Sequence, residues 1–169
     1  MMRVSLANVA AKRTCLPLYE QHQATPHATF LDSSETNDIY SGMVMARTGA
    51  DTVALCDGSD TTQIPFGLSA LDRNDIIDDL NGLDIAPWAV WVGGADAEFF
   101  IDSPAFDTSD TYTVPSDGSQ AYLYAGDGAS VGKIVATAPA VGAHPVAELL
   151  EVVSSTRLRV RPLPHGAAL

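Results

Sequence analysis

The feature that most constrains this chain is the stretch 88–107, Trp-Ala-Val-Trp-Val-Gly-Gly-Ala-Asp-Ala-Glu-Phe-Phe-Ile-Asp-Ser-Pro-Ala-Phe-Asp. It holds both tryptophans, Trp88 and Trp91, and three of the five phenylalanines, Phe99, Phe100 and Phe106. Aromatic rings bury the most apolar area per residue, so the core is expected to gather here. Two β-prone runs, 88–92 and 99–101, flank Gly93-Gly94, a pair that tolerates the positive φ of a tight turn. The spacing predicts a hairpin, or a sharp strand–turn–strand unit, with its largest side chains packed on one side.

Around this stretch the texture of the chain divides. In residues 1–40, Pro17, Pro26 and the polar run Ser33-Ser34-Glu35-Thr36-Asn37-Asp38 break any periodicity. An extended N-terminal arm is expected there, with one short ordered piece near 4–11, ordering on contact with a partner. Residues 41–169 read as a β-rich domain of short apolar runs separated by turn residues. The runs 43–47 and 52–56 flank Thr48-Gly49-Ala50-Asp51 as a hairpin. Gln63–Phe66 is a further strand, which Pro65 places at an edge or bulge. The one helix candidate has Asp72 or Asn74 as cap, Ile76, Ile77 and Leu80 as its apolar face, and Gly82 as its stop. Strands follow at 111–114, 121–124 and 131–137, then a C-terminal pair at 146–153 and 157–163. Ala147, Leu149 and Leu150 would also suit a helix, but strand is the favoured reading. In the last run Leu158 and Val160 alternate with Arg157, Arg159 and Arg161, so apolar side chains take one face and three arginines the other. The fold class expected is all-β, or mainly β with one short helix: a compact barrel or sandwich with an extended N-terminal arm.

Charge narrows the partners. The formal net charge is -12 with a sequence pI near 4.4. That field repels phosphate backbones, which argues against nucleic acid, and suits either a basic protein surface or simple solubility. Cys15 and Cys56 form no Cys-x-x-Cys pair and no disulfide framework, so a reducing compartment is expected. The first thirteen residues lack the apolar core of a signal peptide, and no run approaches the roughly 18 apolar residues of a membrane span. No membrane partner is expected, and the chain is expected to stay in the cytosol unless an assembly carries it.

Three segments resemble catalytic or metal motifs. Gly128-Ala129-Ser130-Val131-Gly132 fits the Gly-x-Ser-x-Gly pattern, with Glu148 and His165 in the order a triad would need. That elbow requires a helix after the serine, and residues 133–137 read as strand, so a glycine-rich turn is the better reading. Phe106-Asp107-Thr108-Ser109 is similar to an aspartic-protease segment. Such chemistry needs two carboxylates sharing a proton, so a homodimer using Asp107 would be required. Ser109 stands where that motif has glycine, and the plainer reading is a turn in which Asp107 and Ser109 satisfy backbone groups. Asp72–Asp78 begins like a calcium loop, but Ile77 occupies the position that needs glycine and Leu83 the one that needs glutamate. His22 and His27 straddle Pro26, His144 and His165 sit beside prolines, and only a weak cation on Asp57 and Asp60 is left as a metal possibility. Gly126-Asp127-Gly128 lacks the lysine and helix of a phosphate loop. No catalytic residue, metal or cofactor is expected.

The segments Gly42-Met43-Val44, Trp91–Phe99, Pro104–Asp107, Gly132-Lys133-Ile134, Val146–Leu149 and Leu158-Arg159-Val160 together resemble the small capsid decoration proteins of tailed bacteriophages, also called head-stabilisation or cement proteins. The resemblance covers about residues 40–163. It implies a compact β-rich fold, trimers or other oligomers on the outer surface of the shell, an N-terminal arm that reaches neighbouring subunits, and neither catalysis nor a cofactor. The partners it implies are the major capsid protein and further copies of the chain, with the virion capsid surface as its final location. Under it, Trp88, Trp91, Phe99, Phe100, Arg157, Arg159 and Arg161 are the candidate interface residues, the arginines pairing with carboxylates across the contact. An ordinary solvated strand face explains the arginines equally well. A low-copy tail or neck β-module and the Asp107 homodimer are the alternatives, from different functional classes.

Overall fold

The computed structural model describes residues 15–17, 27–73, 86–92 and 97–163. In chain order the strands are β1 (Cys15–Pro17), β2 (His27–Leu31), β3 (Val44–Arg47), β4 (Thr52–Leu55), β5 (Pro65–Ser69), β6 (Ala86–Trp91), β7 (Phe99–Asp102), β8 (Tyr122–Ala125), β9 (Ile134–Val135), β10 (Pro145–Ser154) and β11 (Arg157–Pro162). The fold is all-β: the described residues contain no α-helix, and a single 3₁₀ turn lies at Gly128–Ser130. The helix expected over 74–82 and the Gly93-Gly94 turn lie outside the described residues.

Five strands close a barrel in the order β2-β4-β3-β5-β6, and the other six form a sheet in the order β1-β7-β11-β10-β8-β9. The hairpin expected around Thr48–Asp51 is present, with Met45 opposite Leu55 and Arg47 opposite Val53. β5 begins at Pro65, where a residue without an amide hydrogen does least harm to the ladder. Gly67, in the middle of β5, permits a close approach: a Cβ there would lie 2.2 Å from the Trp91 carbonyl oxygen.

The aromatic stretch supplies two strands, β6 and β7, that do not pair with each other as a hairpin. β6 belongs to the barrel, pairing with β2 and β5, whereas β7 belongs to the sheet, pairing with β1 and β11. The chain therefore crosses from one layer to the other between them. Trp88, Trp91, Phe99, Ile101 and Phe106 are all buried, so the core does gather around this crossing. Backbone bonds stitch the layers together: Val44 N donates to Gly132 O at 2.6 Å, and Gly132 N to Cys56 O at 3.0 Å.

Two further expectations change. Residues 111–114 form no strand: Tyr112 is held edge-on to Phe106 and its hydroxyl donates to the carbonyls of Asp107 and Ile134, which fixes an irregular loop. The run 131–137 shortens to Ile134–Val135, because Gly132 at φ 76° turns the chain. At the other end, the described part of residues 1–40 is built into the body. β1 pairs with β7, and β2 is a barrel stave paired on both sides. The polar run after β2 is anchored by Glu35, whose carboxylate accepts from the amides of Leu55 and Asn37, while Arg73 donates to the carbonyls of Glu35 and Asn37. A polar sequence can thus be ordered when its side chains take up backbone groups that no strand pairs.

Candidate interface

The outer face of the sheet formed by β7, β11 and β10 carries the three arginines. Strand alternation buries Leu158 and Val160 against the barrel and turns Arg157, Arg159 and Arg161 outward. Each meets carboxylates of its own chain. Arg157 donates through Nε and Nη2 to Asp102 at 2.6 and 2.7 Å, a two-pronged pair that holds the guanidinium above its usual pKa. Arg159 lies 3.2 Å from Glu98 and 2.9 Å from Glu151. Arg161 lies 3.2 Å from both Glu98 and Glu148. The Glu98 side chain is only 16% exposed, clasped between two arginines. The face is therefore a charge ladder whose arginines pair with carboxylates of the same chain, although the Nε atoms of Arg159 and Arg161 are buried without a hydrogen-bond partner. Phe100 sits opposite Arg159 within this row, with the Arg157 guanidinium 5.6 Å from its ring centre.

The other expected interface residues lie elsewhere. Trp88, Trp91 and Phe99 are core residues: Trp88 Nε1 donates to Ser69 Oγ at 3.1 Å, and Trp91 packs on Phe99. They present no surface to a partner in this conformation, because the stretch that gathers them seals the joint between barrel and sheet. Phe100 is half-buried, and the arginines remain outward.

The end of the β10–β11 hairpin, Arg157 apart, was not among the expected interface residues. β10 runs ten residues, and from Glu151 to Arg157 every residue is exposed, with Val152 at 42% and Val153 at 44%. A shallow groove of about 550 Å³ lies beside it, lined by Asp102, Ser103, Val153, Ser154, Thr156 and Arg157. Two adjacent valines in a row of polar residues were the available signal, but β-branched residues are common in any strand.

The segments that resemble catalytic motifs do come together, and their geometry is structural. Asp107 accepts from Ser109 N (2.9 Å), Ser109 Oγ (2.6 Å) and Ser130 Oγ (2.5 Å). These donors hold its carboxyl down to about 2, so it is an ionised acceptor and not a proton carrier. Ser130 spends its proton on that carboxylate in a 3₁₀ turn, Glu148 is paired with Arg161, and His165 lies outside the described residues. Asp57 and Asp60 each cap their own loop through Ser59 and Thr62. Among the described residues no group of three His, Cys, Asp or Glu side chains could hold a metal. His22 and Asp78 lie outside them, and His27 packs edge-on against Phe66.

Comparisons with known proteins give a family and a fold likeness. The family model described as phage cement protein matches residues 1–168. Among solved structures, a chain from the capsid of Myoviridae phage XM1 is similar in fold: TM-score 0.50, 17% identity, covering 88% of this chain and 90% of that one. At that identity the likeness is one of architecture. No curated protein matches the chain.

Proposed function

The chain belongs to the phage cement protein family, and from that premise we propose that it seats on the outer surface of an assembled capsid and clamps neighbouring shell subunits. It is a structural component of the virion and not an enzyme. The observation that carries the reading is the family match along nearly the whole chain, residues 1–168. The architecture supports it physically. A body with one continuous core across barrel and sheet resists deformation, and its Asp107 and Ser130 are spent on holding loops. A protein that binds only the assembled shell stabilises that state by mass action, since free subunits offer no complete site.

In the finer reading, the partner is the major capsid protein, the chain acts as a trimer, and the residues ahead of the barrel serve as an arm toward neighbouring subunits. The surfaces that meet the shell are the outer ladder face and the exposed end of the β10–β11 hairpin, in place of the buried tryptophans. An acidic chain of net charge -12 needs neutral or basic ground on the shell. The test is the composition and strength of purified particles. A band of 17.8 kDa is expected beside the major capsid protein, at hundreds of copies per particle (roughly one per lattice position), with shells lacking it rupturing at lower temperature. Particles without the band would overturn the reading, and a few copies per particle would assign the chain to the tail or neck instead.

A further inference from the structure

We propose that Arg47, at one mouth of the barrel, is an anchor for a carboxylate side chain of the major capsid protein. This rests on the reading of the chain as a capsid cement protein, and it adds a contact on the barrel to those on the sheet. The strands β2, β4 and β5 begin at this mouth and β3 and β6 end there, as their pairing directions require. Arg47 is the last residue of β3 and is exposed. Its guanidinium carbon lies 4.3 Å from the centre of the Phe66 ring, and Phe66 is itself only 3% exposed. His27, the exposed first residue of β2, meets the same ring edge-on at 5.4 Å. Phe66 is thus a buried seat that holds a guanidinium at the rim, while the N–H groups of that guanidinium remain available to donate.

Every other arginine among the described residues has an oxygen acceptor. Arg73 donates to the carbonyls of Glu35 and Asn37, and Arg157, Arg159 and Arg161 hold carboxylates. Arg47 has none among the described residues: Asp51, which closes the same hairpin, makes no ion pair with it. The groups beside it share the bias. On the same face of β2 as His27, two residues further on, the Thr29 hydroxyl is 5% exposed and has no hydrogen-bond partner. This end of the barrel is rich in donors and short of acceptors, the complement of a carboxylate. A guanidinium already placed by stacking loses little freedom when it takes a carboxylate through two parallel N–H bonds.

The chain's own acids favour the shell over a second copy as the source of that carboxylate. Asp32, Asp57, Asp60, Asp107 and Asp117 accept from donors in their own turns. The acids of the ladder are committed to its arginines. A second copy therefore has few uncommitted carboxylates to offer among its described residues. One carboxylate on shell ground that is otherwise neutral or basic selects this end of a chain of net charge -12, because an approach by the acidic remainder sets like charges together.

The experiment uses the full-length chain and shells purified without it. Arg47→Met is expected to sediment with those shells about 10- to 100-fold more weakly than wild type, the effect of removing one partner of a charge pair buried on docking. Its unfolding midpoint in free solution is expected to stay within about 4 °C of wild type, since an exposed cation–π contact contributes little to folding. Weakening of less than about threefold overturns the proposal. Arg47→Lys decides independently of any loss of folding in Arg47→Met, because it keeps the charge and supplies an amine. Carbodiimide treatment of shells saturated with Arg47→Lys is expected to join position 47 to the capsid protein through an amide bond, in a linked peptide absent from wild type. A link from position 47 to a second copy, or no link at that position on shells that carry the variant, overturns the shell carboxylate and leaves the capsid-binding reading standing. Failure of wild type to bind shells overturns both readings.

Discussion

Trp91 and Phe99 meet with ring centroids 5.6 Å apart and planes inclined by 50°, although their strands belong to different layers of the fold. Phe99 is fully buried, opposite Pro17 on one side and Val160 on the other. It is thus the point at which barrel and sheet share one core. Phe99→Ala is expected to lower the unfolding free energy by about 3–5 kcal/mol, the cost of a large cavity that rigid strands cannot fill. Urea titration followed by tryptophan fluorescence measures it directly. A loss below about 1 kcal/mol would mean that the two layers are held together by something other than this contact.

The same joint shows what could be read from residues alone. The aromatic stretch was legible as the core, because ring area is a property of the residues themselves. Its pairing was not: Gly93-Gly94 suggests that neighbours in sequence become neighbours in the sheet, but β7 instead takes β11, almost sixty residues later, as its partner. Local pattern sets which face of a strand is apolar, and so Leu158 and Val160 were placed correctly. It does not set which strand lies alongside. The arginine row was legible for the same reason, while its carboxylates were not, since Asp102 and Glu98 reach it from far back in the chain. Trp88, Trp91 and Phe99 are buried, and here the sequence carried a real ambiguity: a large aromatic residue suits a core and a binding surface equally, and only burial separates the two.

Glu98 is held between Arg159 and Arg161 at 3.2 Å from each, with little solvent to replace either partner. Arg161→Met is expected to cost about 1 kcal/mol, a figure reduced for the arginine's own exposure. Adding Glu98→Gln to that variant is expected to cost less than it does alone, with a coupling of about 0.5–1 kcal/mol in a double-mutant cycle. Strict additivity would show that Arg161 and Glu98 are not energetically coupled.

Asp107 ties the 107–110 turn to the Gly128–Ser130 turn through its bond from Ser130. Its carboxyl stands at about 2 when folded, against an ordinary value near 4. The folded pKa is the lower one, so its contribution is fully present above about pH 4 and is lost as the pH falls through about 2. Thermal unfolding across that window should show wild type losing stability faster than Asp107→Asn, by about 1 kcal/mol after allowance for solvent screening. Asp32, Asp60 and Asp117 are lowered by turn hydrogen bonds in the same direction and steepen the acid loss in both proteins. The variant is also expected to decorate shells as wild type does, since the carboxylate works within a loop.

Cys56 lies at the seam between the layers, its amide donating to Val44 O and its carbonyl accepting from Gly132 N. Burial pushes its thiol up to about 12, with Asp57 and Asp60 adding to the effect. At pH 8 the thiolate fraction is then about a thousandfold below that of a free cysteine, and the sulfur is sealed from solvent. In a Cys15→Ser background, thiol reagents are expected to leave the native protein unlabelled and to label Cys56 fully in urea. The labelling midpoint should coincide with the tryptophan transition, because barrel and sheet share the core that covers the thiol. Labelling that precedes the fluorescence change would show instead that the seam opens while Trp88 and Trp91 stay packed, and the two layers would then be separate cooperative units.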